Sequence, residues 1–295
     1  MDIRSIKRII KKYSVRQIIQ ILINKFFVGF QIIKPNAYFY HRLVFPFFKF
    51  IMAISHEFQI MITALAWETL YSNQKTIPDL QRKSWENIKP TYCFEKNAFT
   101  GHYRELFDIA KENIDDFIAN HQLNSIVEIG CIHGKGINMI ANQYKEINFL
   151  GVDFNVSYAN QNHKLDNLRF YQGYFEDFFN KKKKDFGINL IFAIRVFELM
   201  TPRELEYFIE LCIKNRVQYI LHIDELVHLR KTSTKSNAHS RAYGKGFWFH
   251  NYPAYFMKGG FKIIKSESKK LKKHKHTHRG EYKAYIGVCE LQPRR

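Results

Sequence analysis

The stretch NSIVEIGCIHGKGINMIANQ, Asn124 to Gln143, runs from one apolar segment through three glycines into a second apolar segment. A strand, a glycine turn and a helix in that order form the usual loop for a phosphate or nucleotide. Two common fingerprints fail on spacing. A Walker loop needs four residues between its first glycine and G-K-[ST]; here three separate Gly130 from Gly134, and Gly136 follows Lys135 where a magnesium-binding hydroxyl belongs. The dinucleotide fingerprint wants glycine at its first, third and sixth places, and Ile132 and Lys135 hold the third and sixth. Kinase, ATPase and pyrophosphate-binding readings are disfavoured, and E-x-G-x-x-x-G remains.

Downstream, short apolar runs alternate with helical patterns: SIVEIG, NFLGVD, LRFYQG, NLIFAIR, YILHIDE, then FKIIKS and KAYIGVCEL. This alternation predicts an α/β fold, a Rossmann-like doubly wound and mostly parallel sheet. The final two runs, with no helix between them, predict a hairpin at one edge and an antiparallel last strand. Upstream, a helix is expected from about His102 to Asn120, its buried face Leu106, Ile109, Ala110, Ile114 and Phe117.

Residues 1–96 read as a separate helical accessory segment ahead of a domain at 97–295. Its first part sets Arg4, Lys7, Arg8, Lys11, Lys12 and Arg16 among isoleucines at helical spacing, as in a helix lying on an anionic membrane surface or packed on the protein itself. Between His41 and Tyr71, Phe47, Phe50, Ile51, Ile54, Phe58, Met61, Ile62 and Leu65 form one stripe. Lys49, His56 and Glu57 argue against a bilayer span there. The segment is therefore expected to be a lid or a surface anchor.

The 295 residues, 46% of them hydrophobic and 16% aromatic, exclude a disordered chain, because that much apolar surface offsets the entropy of ordering. Cys93, Cys131, Cys212 and Cys289 form no C-x-x-C pair, which fits a reducing cytoplasm and suggests no metal site. A net charge of +19 favours anionic partners.

The loop's neighbours narrow its ligand. Asp153, ending the second strand, is placed to accept hydrogen bonds from ribose hydroxyls. Glu128, ending the first, can accept one from an ammonium or from loop amides. A ligand with a ribose, a cationic end and no pyrophosphate satisfies both, and S-adenosyl-L-methionine is one.

Ser125 to Glu198 resembles the class I S-adenosylmethionine-dependent methyltransferases. VEIGCIHGKG is similar to their first motif in the form found among small-molecule O-methyltransferases, LGVDFN to the second and RFYQGYFEDFF to the third. The resemblance implies that Gly130, Cys131 and Gly134 line the methionine end, that Asp153 holds the ribose, and that Tyr174 and Phe175 border the adenine. NLIFAIRVFELMTPREL resembles the fourth motif, at the strand end facing the transferred methyl, and puts Arg195 among the cofactor contacts. YGKGFWFHNYPAYFMKGGFKIIK resembles the late segment in which a helix ends at Gly-Phe before the sixth strand.

Methyl transfer from a sulfonium to a hydroxyl asks the protein to position the nucleophile and remove its proton. Candidates for that base follow the strands: Glu198, His222, Asp224, Glu225, His228 and His250. Aromatic neighbours favour His250, although a histidine there equally serves to anchor a loop. His222, inside an apolar strand, reads as a packed core residue. Asp224 and Glu225 are expected to end the fifth strand facing the crevice. His274, His276 and His278 lie in a cationic run read as a solvated hairpin loop able to meet phosphates of a lipid or RNA. The preferred expectation is a cytoplasmic enzyme, peripheral to a membrane or capped by its own N-terminal helices, that O-methylates a small molecule, sugar or lipid-linked acceptor. An RNA methyltransferase and a silent methyltransferase-fold binding subunit are the alternatives. No N-P-P-[YF] tetrapeptide follows the fourth strand; AIRVFE stands there.

Overall fold

The computed structural model describes residues 101–181, 187–227, 240–243, 247–271 and 282–293. The expected helical segment 1–96, with its lid and anchor readings, lies outside the described residues, as do His228 and the run holding His274, His276 and His278. In chain order the elements are α1 (Gly101–Asn120), β1 (Ser125–Ile129), α2 (Lys135–Gln143), β2 (Asn148–Asp153), α3 (Ser157–Asn162), β3 (Leu168–Gln172), α4 (Phe175–Lys181) and β4 (Leu190–Ile194). A single 3-10 turn, Phe197–Leu199, leads to α5 (Pro202–Lys214), β5 (Tyr219–Val227), β6 (Ser240–Tyr243), β7 (Phe247–His250), α6 (Tyr252–Lys258), β8 (Phe261–Lys270) and β9 (Tyr282–Leu291).

Seven strands form one sheet in the order β3-β2-β1-β4-β5-β9-β8. Pairings from β3 through β5 are parallel, whereas β9 runs antiparallel to both β5 and β8. The expected doubly wound sheet with an antiparallel last strand is therefore present. Every residue of β1 and of β4 is buried, as a parallel strand covered on both faces requires. One apolar layer joins α4, α5 and α6 through Phe175, Phe178, Phe208 and Phe256; the other joins α1 and α2 through Leu106, Ile114, Ile137 and Ile140. The edge strand β8 alternates buried and exposed positions at first and then turns outward with Lys269 and Lys270, charges that discourage edge-to-edge pairing.

Strand order reverses between β1 and β4, so the connections leaving their carboxyl ends run to helices on opposite faces and leave a crevice. Two differences from the sequence reading matter for that crevice. Strand β5 does not end at Glu225; pairing with β9 carries it to Val227, opposite Tyr282, and places Asp224 within the strand. A two-stranded sheet, β6 with β7, stands between β5 and α6, and it was not anticipated.

The entry to α5 fixes the far side of the crevice. Thr201 Oγ1 accepts from the Glu204 amide at 3.1 Å, Glu204 Oε2 accepts from the Thr201 amide at 3.1 Å, and Pro202 opens the first turn. Both side chains of this capping box are buried, so water cannot replace the lost bonds. Thr201→Ala is expected to cost about 1–2 kcal/mol and lower the melting temperature by several degrees. An unchanged thermal unfolding midpoint would count against the box as a stabilising device.

Candidate functional site

A cavity of about 280 Å³ occupies the crevice. Its wall is made by the residues that leave β1, β2, β3 and β4: Gly130 and Ile132, Asp153 and Phe154, Tyr174 and Phe175, and Arg195 to Met200 except Phe197. Tyr103, near the start of α1, closes one side. Sequence reasoning missed Tyr103 and Phe154. The signal for Phe154 was its place directly after Asp153; nothing local marked Tyr103, which comes from a helix preceding the first motif.

The glycine loop is shaped by close approach. Gly130 has φ 78, and a Cβ there would overlap the Val196 side chain across the crevice. Gly134 has φ 70 and caps α2, with the Phe170 ring in the space a Cβ would need. Gly151 plays the same part in β2, where a Cβ would lie 2.7 Å from Cys131 Sγ. Cys131 is buried against that strand rather than among the residues of the cavity wall, and burial pushes its thiol well up. Ile132, the residue in place of a glycine, has φ 49.

Asp153 is in the cavity wall, and Glu128 is buried behind it, outside the lining residues. Asp153 Oδ2 accepts from the Ile132 amide at 2.9 Å and Oδ1 from the Asn155 amide at 3.0 Å. Burial raises its carboxyl above the usual range, partly offset by those amides. Glu128 is 2% exposed; burial and then the Asp153 charge raise it to about 8, against a hydrogen bond from the Ile137 amide. Its Oε2 is buried without a hydrogen-bond partner, and so is Tyr174 Oη. Phe154 and Tyr174 lie ring over ring, 5.4 Å between centroids and 6° apart.

On the opposite wall, Arg195 has φ 60 and its Nε donates to Glu198 Oε1 at 2.8 Å. Glu198 is nearly buried, its side chain 6% exposed against 32% for Arg195. Of Glu198, Asp224 and His250, Glu198 is the one in the cavity wall; the Glu225 side chain lies outside the described ones. Asp224 sits behind it: Oδ1 accepts from the Glu198 amide at 3.1 Å, Oδ2 lies 2.7 Å from His222 Nδ1, and Tyr252 supplies a further hydrogen bond. His222 is fully buried, packed edge-on against Tyr252, as expected of a core residue. His250 Nε2 lies 3.1 Å from both the Phe197 and Met200 carbonyls, so it donates to the 3-10 turn. Burial lowers His250 to about 4 and keeps it neutral near pH 7. It holds the turn that carries Glu198. Glu225 pairs with Ala284 in the ladder.

These residues fit a nucleoside with a cationic tail. Gly130, whose Cβ would meet Val196 across the crevice, lines the cavity, whereas Gly134 packs on Phe170 away from its wall; unpartnered polar atoms sit on β1 and after β3 with Asp153 on the strand between them. Among the described residues no group of three or more His, Cys, Asp or Glu could hold a metal ion, and no helix is long and apolar enough to cross a membrane.

No family model and no curated protein matches the chain. Solved structures do. One is an S-adenosylmethionine-dependent methyltransferase from Anabaena variabilis, 11% identical over 62% of this chain and 85% of that one, with a TM-score of 0.45. A second is the N-methyltransferase NodS from Bradyrhizobium japonicum in complex with S-adenosylhomocysteine, 10% identical over 75% of this chain and 100% of that one, TM-score 0.47. A third is the magnesium protoporphyrin IX methyltransferase from Synechocystis with bound cofactor, 10% identical over 76% and 97%, TM-score 0.45.

Proposed function

We propose that this chain is an S-adenosylmethionine-dependent methyltransferase acting on a hydroxyl of a small molecule, sugar or lipid-linked acceptor. The observation that carries the reading is the row formed by Glu128, Asp153 and Tyr174 on β1, at the end of β2 and after β3, running outward from the point where the strand order reverses. Two of the three present a buried polar atom that the protein itself leaves without a partner.

Each residue then has a definite task. Glu128 accepts from the ammonium of the methionine tail, Asp153 from the ribose, and Tyr174, with Phe154 stacked on it, borders the base. The cofactor supplies a methyl group on a positively charged sulfur. Ile194, Val196, Leu199 and Met200 give the opposite wall an apolar surface that keeps water from competing for that methyl. Glu198, held by Arg195, takes the proton from the acceptor hydroxyl as its oxygen forms the new bond. Asp224 and His250 keep the turn bearing Glu198 in place from behind.

Titration calorimetry of the full chain with S-adenosylmethionine tests the reading. Saturable binding at one site is expected, and Asp153→Ala is expected to weaken it about 100-fold or more, as loss of a charged hydrogen bond and of loop order implies. Absence of binding to the unaltered chain would sink the proposal. The acceptor class follows from tritiated methyl groups partitioning between lipid extract and aqueous small molecules.

A further inference from the structure

His222 is fully buried and has no task in the proton transfer to Glu198. An imidazole among apolar rings is costly unless its polar atoms are matched. Phe197, Tyr252, Phe256 and Tyr285 surround it, with ring centroids 4.4 to 5.5 Å away. Its two nitrogens meet different surroundings. Nδ1 lies 2.7 Å from Asp224 Oδ2. Nε2 has no hydrogen-bond partner among the described residues and faces Gly287, where a Cβ would overlap it. Gly287 is the partner of His222 in the ladder between β5 and β9, and its φ lies outside the left-handed region. What this position needs from glycine is therefore room for the ring.

His222 and Asp224, two residues apart, share one face of β5. The second oxygen of that carboxylate, Oδ1, accepts from the Glu198 amide at 3.1 Å. For Oδ2 to accept as well, Nδ1 must carry the proton of the neutral ring. The bare Nε2 then sits against Gly287 at less cost than a buried N–H without an acceptor. We infer that His222 is a positioning residue: its Nδ1–H aims the Asp224 carboxylate at the Glu198 amide and so fixes the turn that presents Glu198 to the cavity. Phe197, the residue before Glu198, packs on the same imidazole, so His222 meets the turn twice. The catalytic meaning of this clamp rests on the reading of Glu198 as the acceptor of the hydroxyl proton.

Amide exchange and methyl transfer are compared in the unaltered full chain, His222→Leu and His222→Asn. Leucine keeps apolar bulk and loses the donor, whereas asparagine keeps an N–H close to the place of Nδ1 and loses bulk. Exchange at the Glu198 amide is expected to quicken about tenfold or more in His222→Leu and less than about threefold in His222→Asn. The Glu204 amide, held by Thr201 Oγ1, is expected to stay within about threefold in both. A residue that only fills the core predicts the reverse order, because leucine suits apolar neighbours better than asparagine. Equal exchange at Glu198 in the three proteins, or equal quickening at Glu204, overturns the inference. Should His222→Leu not fold, nitrogen–proton correlation spectra of the unaltered chain decide: a proton on Nδ1 of the neutral ring is expected, and one on Nε2 alone overturns the clamp. Transfer of tritiated methyl groups from S-adenosylmethionine to a total lipid extract or an aqueous small-molecule extract is expected to fall about 10- to 100-fold in His222→Leu and to recover in His222→Asn. Equal transfer by the three proteins overturns the positioning role. Absence of transfer by the unaltered chain counts against the methyltransferase reading, and the exchange results still decide the clamp.

Discussion

Gly134→Ala is expected to destabilise the protein by about 2–5 kcal/mol and to weaken S-adenosylmethionine binding at least about tenfold. Two separate costs add. The residue has φ 70, which alanine enters at about 1–2 kcal/mol. Its Cβ would also overlap the Phe170 ring, 2.5 Å from Cζ, and lie 3.1 Å from Ala159 Cβ. Phe170 packs against Cys131 and Ala159, so relief means shifting β3 or α3 against the loop, at about 1–3 kcal/mol. Gly260→Ala separates the two terms, because Gly260 has φ 83 but nothing within 4 Å of the added carbon. Thermal unfolding should show about two to three times the loss for Gly134→Ala. Equal losses in the two variants would mean that crowding at the loop is not what keeps Gly134.

The fold was legible because its signals are local. NFLGVD and NLIFAIR are short apolar runs bounded by turn residues, and each became a parallel strand within two residues of its expected limits. The loop was legible for the same reason, since Gly130, Gly134 and Asp153 are tied together by two adjacent strands. The acceptor side was not. Glu198, Asp224 and His250 looked alike in sequence, as polar residues after strands, and their roles part only when β7 folds back onto the 3-10 turn. His250 reaches carbonyls about fifty positions away, at Phe197 and Met200. Asp224 was placed at a strand end because the apolar run stops there, yet β9 pairs on to Val227 and buries it. Tyr103 enters the cavity from α1, whose helical periodicity reports a buried face and not which end of the sheet its first turn overhangs.

Glu128 should make both stability and cofactor binding depend on pH near neutrality. Its carboxyl is raised from 4.5 to about 8, chiefly by burial and next by the Asp153 charge. The folded state therefore keeps a proton that the unfolded chain gives up above pH 4.5. The stability this group contributes is greatest at low pH and is lost as pH rises from about 4.5 to about 8, by at most about 5 kcal/mol. Glu128→Gln carries no such proton, so the ligand-free variant should gain stability relative to the unaltered chain as pH rises through that window. Binding should run the other way. An ammonium docking on Glu128 favours the ionised carboxylate, so at pH 7 complex formation should expel close to one proton, and glutamine should weaken binding about tenfold or more. Calorimetry in buffers of different ionisation enthalpy counts that proton. A binding enthalpy independent of buffer at pH 7, or a Gln variant with unaltered affinity, would remove Glu128 from the ammonium and leave it as a buried prop of the loop.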